Sequence, residues 1–234
     1  MKAKPDFVTR LFISIRMKRI TFFIFSFIVL FCSVSASGQD KFSTSGRINI
    51  SVGTGFGLYN LSNNQYGDPD NAALNGNLQL AADLGFIPLL TGGVMVYRNG
   101  FATDKDSNER ATIAGLGLYG HLNFARRPKT TWFLTAGIAG TIFTYENYNK
   151  KGKVSANGSH VFAGLGFRRY FGDHVGIFSE VHIAGYNYNT FRYKTDQDLK
   201  DQTLITSSGN KFGIALAGAE VKFGLIVAIG ANSK

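Results

Sequence analysis

Apolar residues occupy every second position along much of this chain. In the first such run, Ile48, Ile50 and Val52 alternate with Asn49 and Ser51. Successive side chains of a β-strand point to opposite faces, so this period of two predicts a strand with one apolar and one polar face. Seven further runs follow, at about 78–86, 93–97, 114–124, 132–142, 160–168, 175–183 and 217–229. The pattern therefore predicts eight strands, whereas helical periodicity is nearly absent after residue 38.

The links between the predicted strands alternate in length. Short turns are expected near 88–91, 125–130 and 172–174, and long links at about 60–74, 101–110, 147–158 and 189–209. Most runs reach the roughly 9–11 residues that a tilted strand needs to cross a bilayer. Short turns at one end and long loops at the other are typical of an up-and-down barrel. The first and last strands should then pair, because an open sheet edge cannot satisfy its amides in lipid.

The alternation by itself fits two kinds of barrel. In a membrane barrel the apolar face meets lipid, whereas in a soluble barrel it surrounds an apolar ligand. The polar face here is rich in glycine and small residues, and charges concentrate in links such as 104–110 and 150–153, which favours lipid. The prediction is an all-β, eight-stranded antiparallel up-and-down transmembrane β-barrel over residues 47–230.

Aromatic residues gather at both ends of the predicted strands, as expected for girdles at the two membrane interfaces. The girdle prediction covers Tyr59, Tyr97, Tyr145, Tyr186 and Tyr188 toward the long links, and Phe86, Phe124, Trp132, Phe167, Tyr170 and Phe171 toward the short turns.

Several polar side chains share the inward parity of the strands. They are Gln79, Asp83, His121, Arg168, Glu180, His182, Glu220 and Lys222. An eight-stranded barrel has an interior just wide enough for side chains to fill, and buried charges there must pair. We expect Glu180 to pair with Arg168, and Glu220 with Lys222 or a neighbour. A filled lumen is the main interpretation, and a narrow ion path is the alternative.

The charge of the chain divides unevenly along its length. There are 25 basic and 15 acidic side chains, a net charge of +10 that would favour a nucleic-acid partner. Residues 1–38 hold six of the basic and one of the acidic residues, so half of the excess lies there. An uncharged stretch at 20–34 follows, which is too short for a spanning helix and fits a signal peptide. We therefore predict a signal peptide at 1–38, with Met17 as a possible true start, then a short segment at 39–46, and no nucleic-acid role; a single membrane anchor is the alternative.

Catalytic and metal-binding signals are weak. The single cysteine, Cys32, lies in the predicted leader, and the four histidines, His121, His160, His174 and His182, lack metal-ligand spacing. No serine stands in a nucleophile-elbow sequence, and Ser179 and His182 fall on opposite strand faces. We expect no catalytic residues, no metal and no cofactor. The basic link at 150–153 is expected to be solvated, with contact to acidic lipopolysaccharide as the alternative.

Two segments, Ile113–Phe124 and Val161–Val181, resemble small outer-membrane β-barrel proteins of the OmpX/OmpA-barrel type, especially those of Bacteroidetes. The resemblance implies a Gram-negative outer membrane, with outer-membrane lipids and the barrel-assembly machinery as partners. It implies a structural or surface-interaction role through the long links, whose extracellular partner the sequence does not name. A porin-like channel for small solutes and a secreted barrel with an apolar ligand are the alternatives. Such barrels usually end in an aromatic residue, whereas residues 230–234 here contain none.

Overall fold

The computed structural model describes residues 46–63, 72–102, 109–127, 129–147, 152–195 and 202–230. The predicted signal peptide and Met17 lie outside the described residues, as do residues 39–45, the centres of the four long links and residues 231–234.

The described chain forms nine strands. They are β1 (Ile48–Asn63), β2 (Ala72–Ile87), β3 (Leu90–Phe101), β4 (Glu109–Arg127), β5 (Thr130–Asn147), β6 (Gly152–Tyr170), β7 (Val175–Thr195), β8 (Gln202–Thr203) and β9 (Ile214–Ile229). All pairings are antiparallel, and β8 pairs only with the end of β7. The other eight strands each pair with the next along the chain, and β1 pairs with β9. This confirms the predicted eight-stranded, closed, up-and-down barrel.

The strands extend further than their apolar runs indicated. β5 continues to Asn147 and β6 begins at Gly152, so most of the predicted link 147–158 belongs to strands. Likewise β7 continues to Thr195, well into the predicted link 189–209. The added segments carry polar and aromatic side chains, which the search for aliphatic alternation did not count. Backbone pairing continues there because it does not depend on whether the side chains are apolar.

The two faces of the barrel differ as predicted. Outward positions carry aliphatic side chains that no protein group covers, such as Leu116 and Ile183, which are 65% and 71% exposed. Exposed apolar surface that runs around every strand of a barrel marks contact with lipid. Inward positions are buried and mostly polar. Among the described residues, no helix is both long and apolar enough to span a membrane.

Candidate functional site

The lumen of the barrel holds the candidate site. All eight polar residues predicted for the interior are at most 7% exposed: Gln79, Asp83, His121, Arg168, Glu180, His182, Glu220 and Lys222. Each stands at an inward position of an alternating strand, which is why the sequence pattern located them.

An ion pair crosses the lumen on the side of the short turns. The Arg168 guanidinium on β6 meets the Asp83 carboxylate on β2, with Nη1–Oδ1 and Nη2–Oδ2 distances of 3.1 and 2.6 Å. Asp83 also accepts hydrogen bonds from Asn49 Nδ2 at 2.7 Å and Tyr119 Oη at 3.0 Å. The predicted Arg168–Glu180 pair is wrong. Closure of the barrel brings β2 across from β6, a relation that no alternation along one strand reveals.

A second group of contacts lies beside this ion pair. One carboxylate oxygen of Glu180 lies 2.9 Å from Nε2 of His182, and the other lies 3.9 Å from Nε2 of His121. The Nδ1 atom of His121 lies 3.0 Å from Nη2 of Arg168. His121 therefore connects Glu180 to the Arg168–Asp83 pair, so the short-turn half of the lumen is one continuous polar network.

The third carboxylate, Glu220, lies further toward the long links. Its Oε2 atom is 3.0 Å from Nζ of Lys222, which also donates to Gln79 Oε1 at 3.1 Å. The hydroxyls of Tyr59 and Tyr186 donate to Oε1 of Glu220. Both Glu220 oxygens thus have partners, as a buried carboxylate requires.

Charge inside the lumen is balanced. Three buried cations, Arg47, Arg168 and Lys222, are matched in number by three buried carboxylates, Asp83, Glu180 and Glu220. With neutral histidines the described interior has no net charge. Balanced, paired charges tolerate a low-dielectric environment far better than isolated ones.

The aromatic girdle prediction is wrong for five tyrosines. Tyr59, Tyr97, Tyr170, Tyr186 and Tyr188 are at most 5% exposed and point into the barrel. Each has the inward parity of its strand, and the hydroxyls of the first four bond to lumen groups; that of Tyr97, for example, lies 2.7 Å from Nδ1 of His160. Parity, rather than closeness to a strand end, was the signal that could have identified them.

The remaining girdle residues behave differently. Phe86, Phe124 and Phe171 are more than half exposed near the short turns, whereas Trp132 and Phe167 are half-buried with ring centroids 5.3 Å apart. Tyr145 is also half-buried. An aromatic girdle at the short-turn end therefore stays a prediction, which now rests on the exposed Phe86, Phe124 and Phe171.

Sequence reasoning also missed several lumen residues. Asn49, Asn99, Tyr119 and His160 belong to the buried hydrogen-bond network, and Met95 is buried beside it. A uniform parity rule applied to the polar and aromatic positions of every strand would have found them.

Side chains leave little space at the centre of the lumen. A cavity of about 10 Å³ lies between Gln79, Tyr119, Phe162, Arg168 and Glu180, which is room for about one water molecule. Among the described residues, no three potential metal-ligating side chains stand close enough to hold a metal ion.

No family model matches the chain, and no curated protein does. Solved structures do match. The outer membrane protein OprG from Pseudomonas aeruginosa is 10% identical over 81% of this chain and 98% of its own, with a TM-score of 0.53. A major outer membrane protein from Thermus thermophilus is 13% identical over 78% and 99% of the two chains, with a TM-score of 0.48. Neisserial surface protein A is 12% identical over 76% and 96%, with a TM-score of 0.44.

At these identities the likeness concerns the fold, and the TM-score of the OprG match supports it. The strand count, the closed pairing and the outward apolar face agree with it. The chain therefore has the closed, eight-stranded, up-and-down β-barrel fold that the outer membrane protein OprG also has.

Proposed function

We propose that this protein is an integral outer-membrane barrel with a structural or surface-interaction role and a lumen that does not conduct. The observation that carries the proposal is the filling of the lumen by paired charges and packed aromatic rings. Outer-membrane lipids would surround its apolar face, and the barrel-assembly machinery would insert it.

Conduction through the unaltered lumen would require breaking the buried pairs, because packed side chains leave no path around them. A permeating ion would have to displace the contact of Arg168 with Asp83 or that of Lys222 with Glu220. Separating a buried charge from its partner is strongly unfavourable, because the remaining charge is left without water or a counter-charge. Paired groups of both signs therefore act as a plug in this lumen.

The long-link end of the lumen is also occupied. Phe212, in the segment between β8 and β9, packs against Phe191 of β7 with ring centroids 5.3 Å apart. The amide of Leu204 donates to the Phe191 carbonyl at 2.9 Å, and Thr206 in the same segment is only 5% exposed. This segment adds a second layer of side chains over the buried tyrosines.

Of the alternatives, a secreted barrel with an apolar ligand has little support. Such a carrier needs an apolar interior and a polar exterior, whereas here the charged groups are inside and the aliphatic groups outside. A porin-like channel remains the competing function, and electrical measurement separates it from the proposal.

Planar-bilayer recording of the purified full chain tests the proposal. We expect no steady single-channel current from the unaltered protein. A double variant, Met95→Ala with Phe162→Ala, removes two bulky buried side chains beside the central cavity and should introduce current. The matched variant, Leu116→Ala with Phe56→Ala, removes similar volume from the exposed outer face and should stay silent. Steady current from the unaltered protein would contradict the proposal and favour the channel.

A further inference from the structure

Basic residues gather on the outer surface of the barrel near the long links. Arg98 on β3, Arg110 on β4, Lys153 on β6 and Arg192 on β7 are all exposed. We call these four residues the basic rim. They are distinct from the lumen, because each stands on the outward parity of its strand.

Strand register places the basic rim on one continuous patch. Arg110 pairs in register with Glu146, which pairs with Lys153. We call the band of exposed aliphatic side chains that begins at Val96 and Leu116 the apolar belt. One step closer to this belt, Arg192 lies in the row that contains Ser155, Thr144 and Thr112. One step further, Arg98 pairs with Ala114.

The patch is much larger than a single small ion. Three rows two residues apart span roughly 13 Å along the strands, and four strand spacings span roughly 19 Å across them. The outward hydroxyls of Thr112, Thr144 and Ser155 lie within this area and add hydrogen-bond donors between the arginines.

The four cations of the patch outnumber the one carboxylate that its described outward positions supply. Glu146 is its one described carboxylate, and it bonds to Lys153 at 3.2 Å. Within the described ranges, no carboxylate lies within ion-pair distance of Arg98, Arg110 or Arg192. Among the described residues, the corresponding outward positions of β1, β2 and β9 carry neutral side chains such as Asn60, Leu74 and Ala217.

Arg98 lies where the patch meets the exposed aliphatic side chains of the outer face. Its cross-strand neighbours are Leu78 and Ala114, and Val96 follows it on the same face toward the belt. An arginine at the edge of the hydrocarbon region is costly unless its guanidinium reaches the head-group level and meets an anion there.

We propose that the basic rim binds the phosphate head groups of lipids in the leaflet at the long-link end. A guanidinium contacts phosphate oxygens through two parallel N–H donors, which makes arginine suited to this anion. The acyl chains of the same lipid lie against the exposed aliphatic belt that begins directly beside the patch, at Leu116 and Val96. Both parts of a phosphorylated lipid therefore find complementary surface, whereas a free phosphate ion finds only one.

Native mass spectrometry of the full chain in a non-ionic detergent tests the proposal with three probes. Phosphatidic acid supplies phosphate and acyl chains, diacylglycerol supplies the chains alone, and inorganic phosphate supplies the anion alone. We expect phosphatidic acid to bind more tightly than either of the others, and its binding to weaken as salt rises, because exposed charges are screened.

Two matched variants locate the binding. Arg98→Gln with Arg110→Gln should weaken phosphatidic acid binding roughly thirtyfold, since each basic residue near a lipid surface contributes about a factor of five. Lys129→Gln with Arg169→Gln removes the same charge near the short turns and should leave the affinity within about twofold, beyond the screening distance of the rim. All four positions are at least partly exposed, so both variants should fold.

Three results would overturn the proposal. Equal binding of diacylglycerol and phosphatidic acid would show that the apolar belt alone holds lipid. Equal binding of inorganic phosphate would indicate a free-anion site. Equal losses in the two variants would show attraction to net charge. None of these results bears on conductance, so the proposed function is tested separately.

Discussion

Two neighbours in β5 show how differently the two faces of this barrel are constrained. Leu134 is 46% exposed and points outward, whereas Thr135 is 4% exposed and lines the central cavity. A side chain on the outer face only has to be compatible with the surrounding lipid, so many different apolar residues can stand there. The inner face is determined by its partners, since each polar group needs a particular counterpart at a particular distance. The outer face should therefore tolerate changes of shape but not of charge, and the inner face should tolerate neither.

The largest effect is expected from breaking a partnership inside the lumen. Arg168→Ala leaves Asp83 buried without its counter-charge and should lower the free energy of unfolding by about 3–5 kcal/mol. Reversible unfolding in urea in the presence of lipid vesicles measures this change. Removing both charges with Arg168→Met and Asp83→Asn should recover part of the loss. If the double variant is no more stable than Arg168→Ala, the loss of stability does not come from the unpaired charge of Asp83.

A charge on the outer face should cost somewhat less. Leu134→Arg places a cation against lipid and should lower the free energy of unfolding by about 2–4 kcal/mol, as arginine does near the middle of other barrels. Leu134→Met keeps the volume and polarity and should cost less than about 1.5 kcal/mol in the same assay. If Leu134→Arg proves harmless, the assignment of the two faces is wrong. Thr135→Arg, one residue later, tests lumen space instead and should prevent formation of the native barrel.

The smallest effect is expected from adding a single methyl group, which changes the volume of one face but not its charge. A methyl group added at Gly137 would clash with Cζ of Phe162 and lie 2.6 Å from the Leu118 carbonyl oxygen, whereas one added at Gly140 meets nothing within 4 Å. Gly137→Ala should therefore destabilise the barrel by about 1–3 kcal/mol through overpacking. Gly140→Ala in the same strand should change stability by no more than about 0.5 kcal/mol. Similar thermal unfolding of both variants would argue against a tightly packed lumen.

Much of the fold was accessible from local pattern. The alternation around Ile48 and Ile50 predicted β1 and the division of its side chains between two faces, and the positions of the short turns agree with the structure. The strand ends were harder to predict, because β5, β6 and β7 continue with polar and aromatic residues beyond the lipid-facing part. There the period of two persists without an aliphatic signal.

The candidate site was accessible only in part. The sequence predicted five of the six buried charged side chains and missed Arg47. It also paired Arg168 with Glu180, which lies on the neighbouring strand β7. Asp83, on the distant β2, is the partner that the structure brings to it. The tyrosines were misplaced for a different reason. A phenol side chain is stable both at a membrane interface and beside a buried carboxylate, so the residue type alone does not predict which of the two environments it occupies.

The sequence by itself determined the number of barrel strands and their alternation, because both follow from the local geometry of a β-strand. It also indicated which face meets lipid, because the polar face is rich in glycine and small residues and the charges concentrate in the links. Closure of the barrel decided the rest. It set Arg168 opposite Asp83, gathered Tyr59 and Tyr186 around Glu220, and aligned the rows of the basic rim across neighbouring strands. These relations join residues far apart in the chain, and strand register and curvature, rather than any local pattern, bring them within contact.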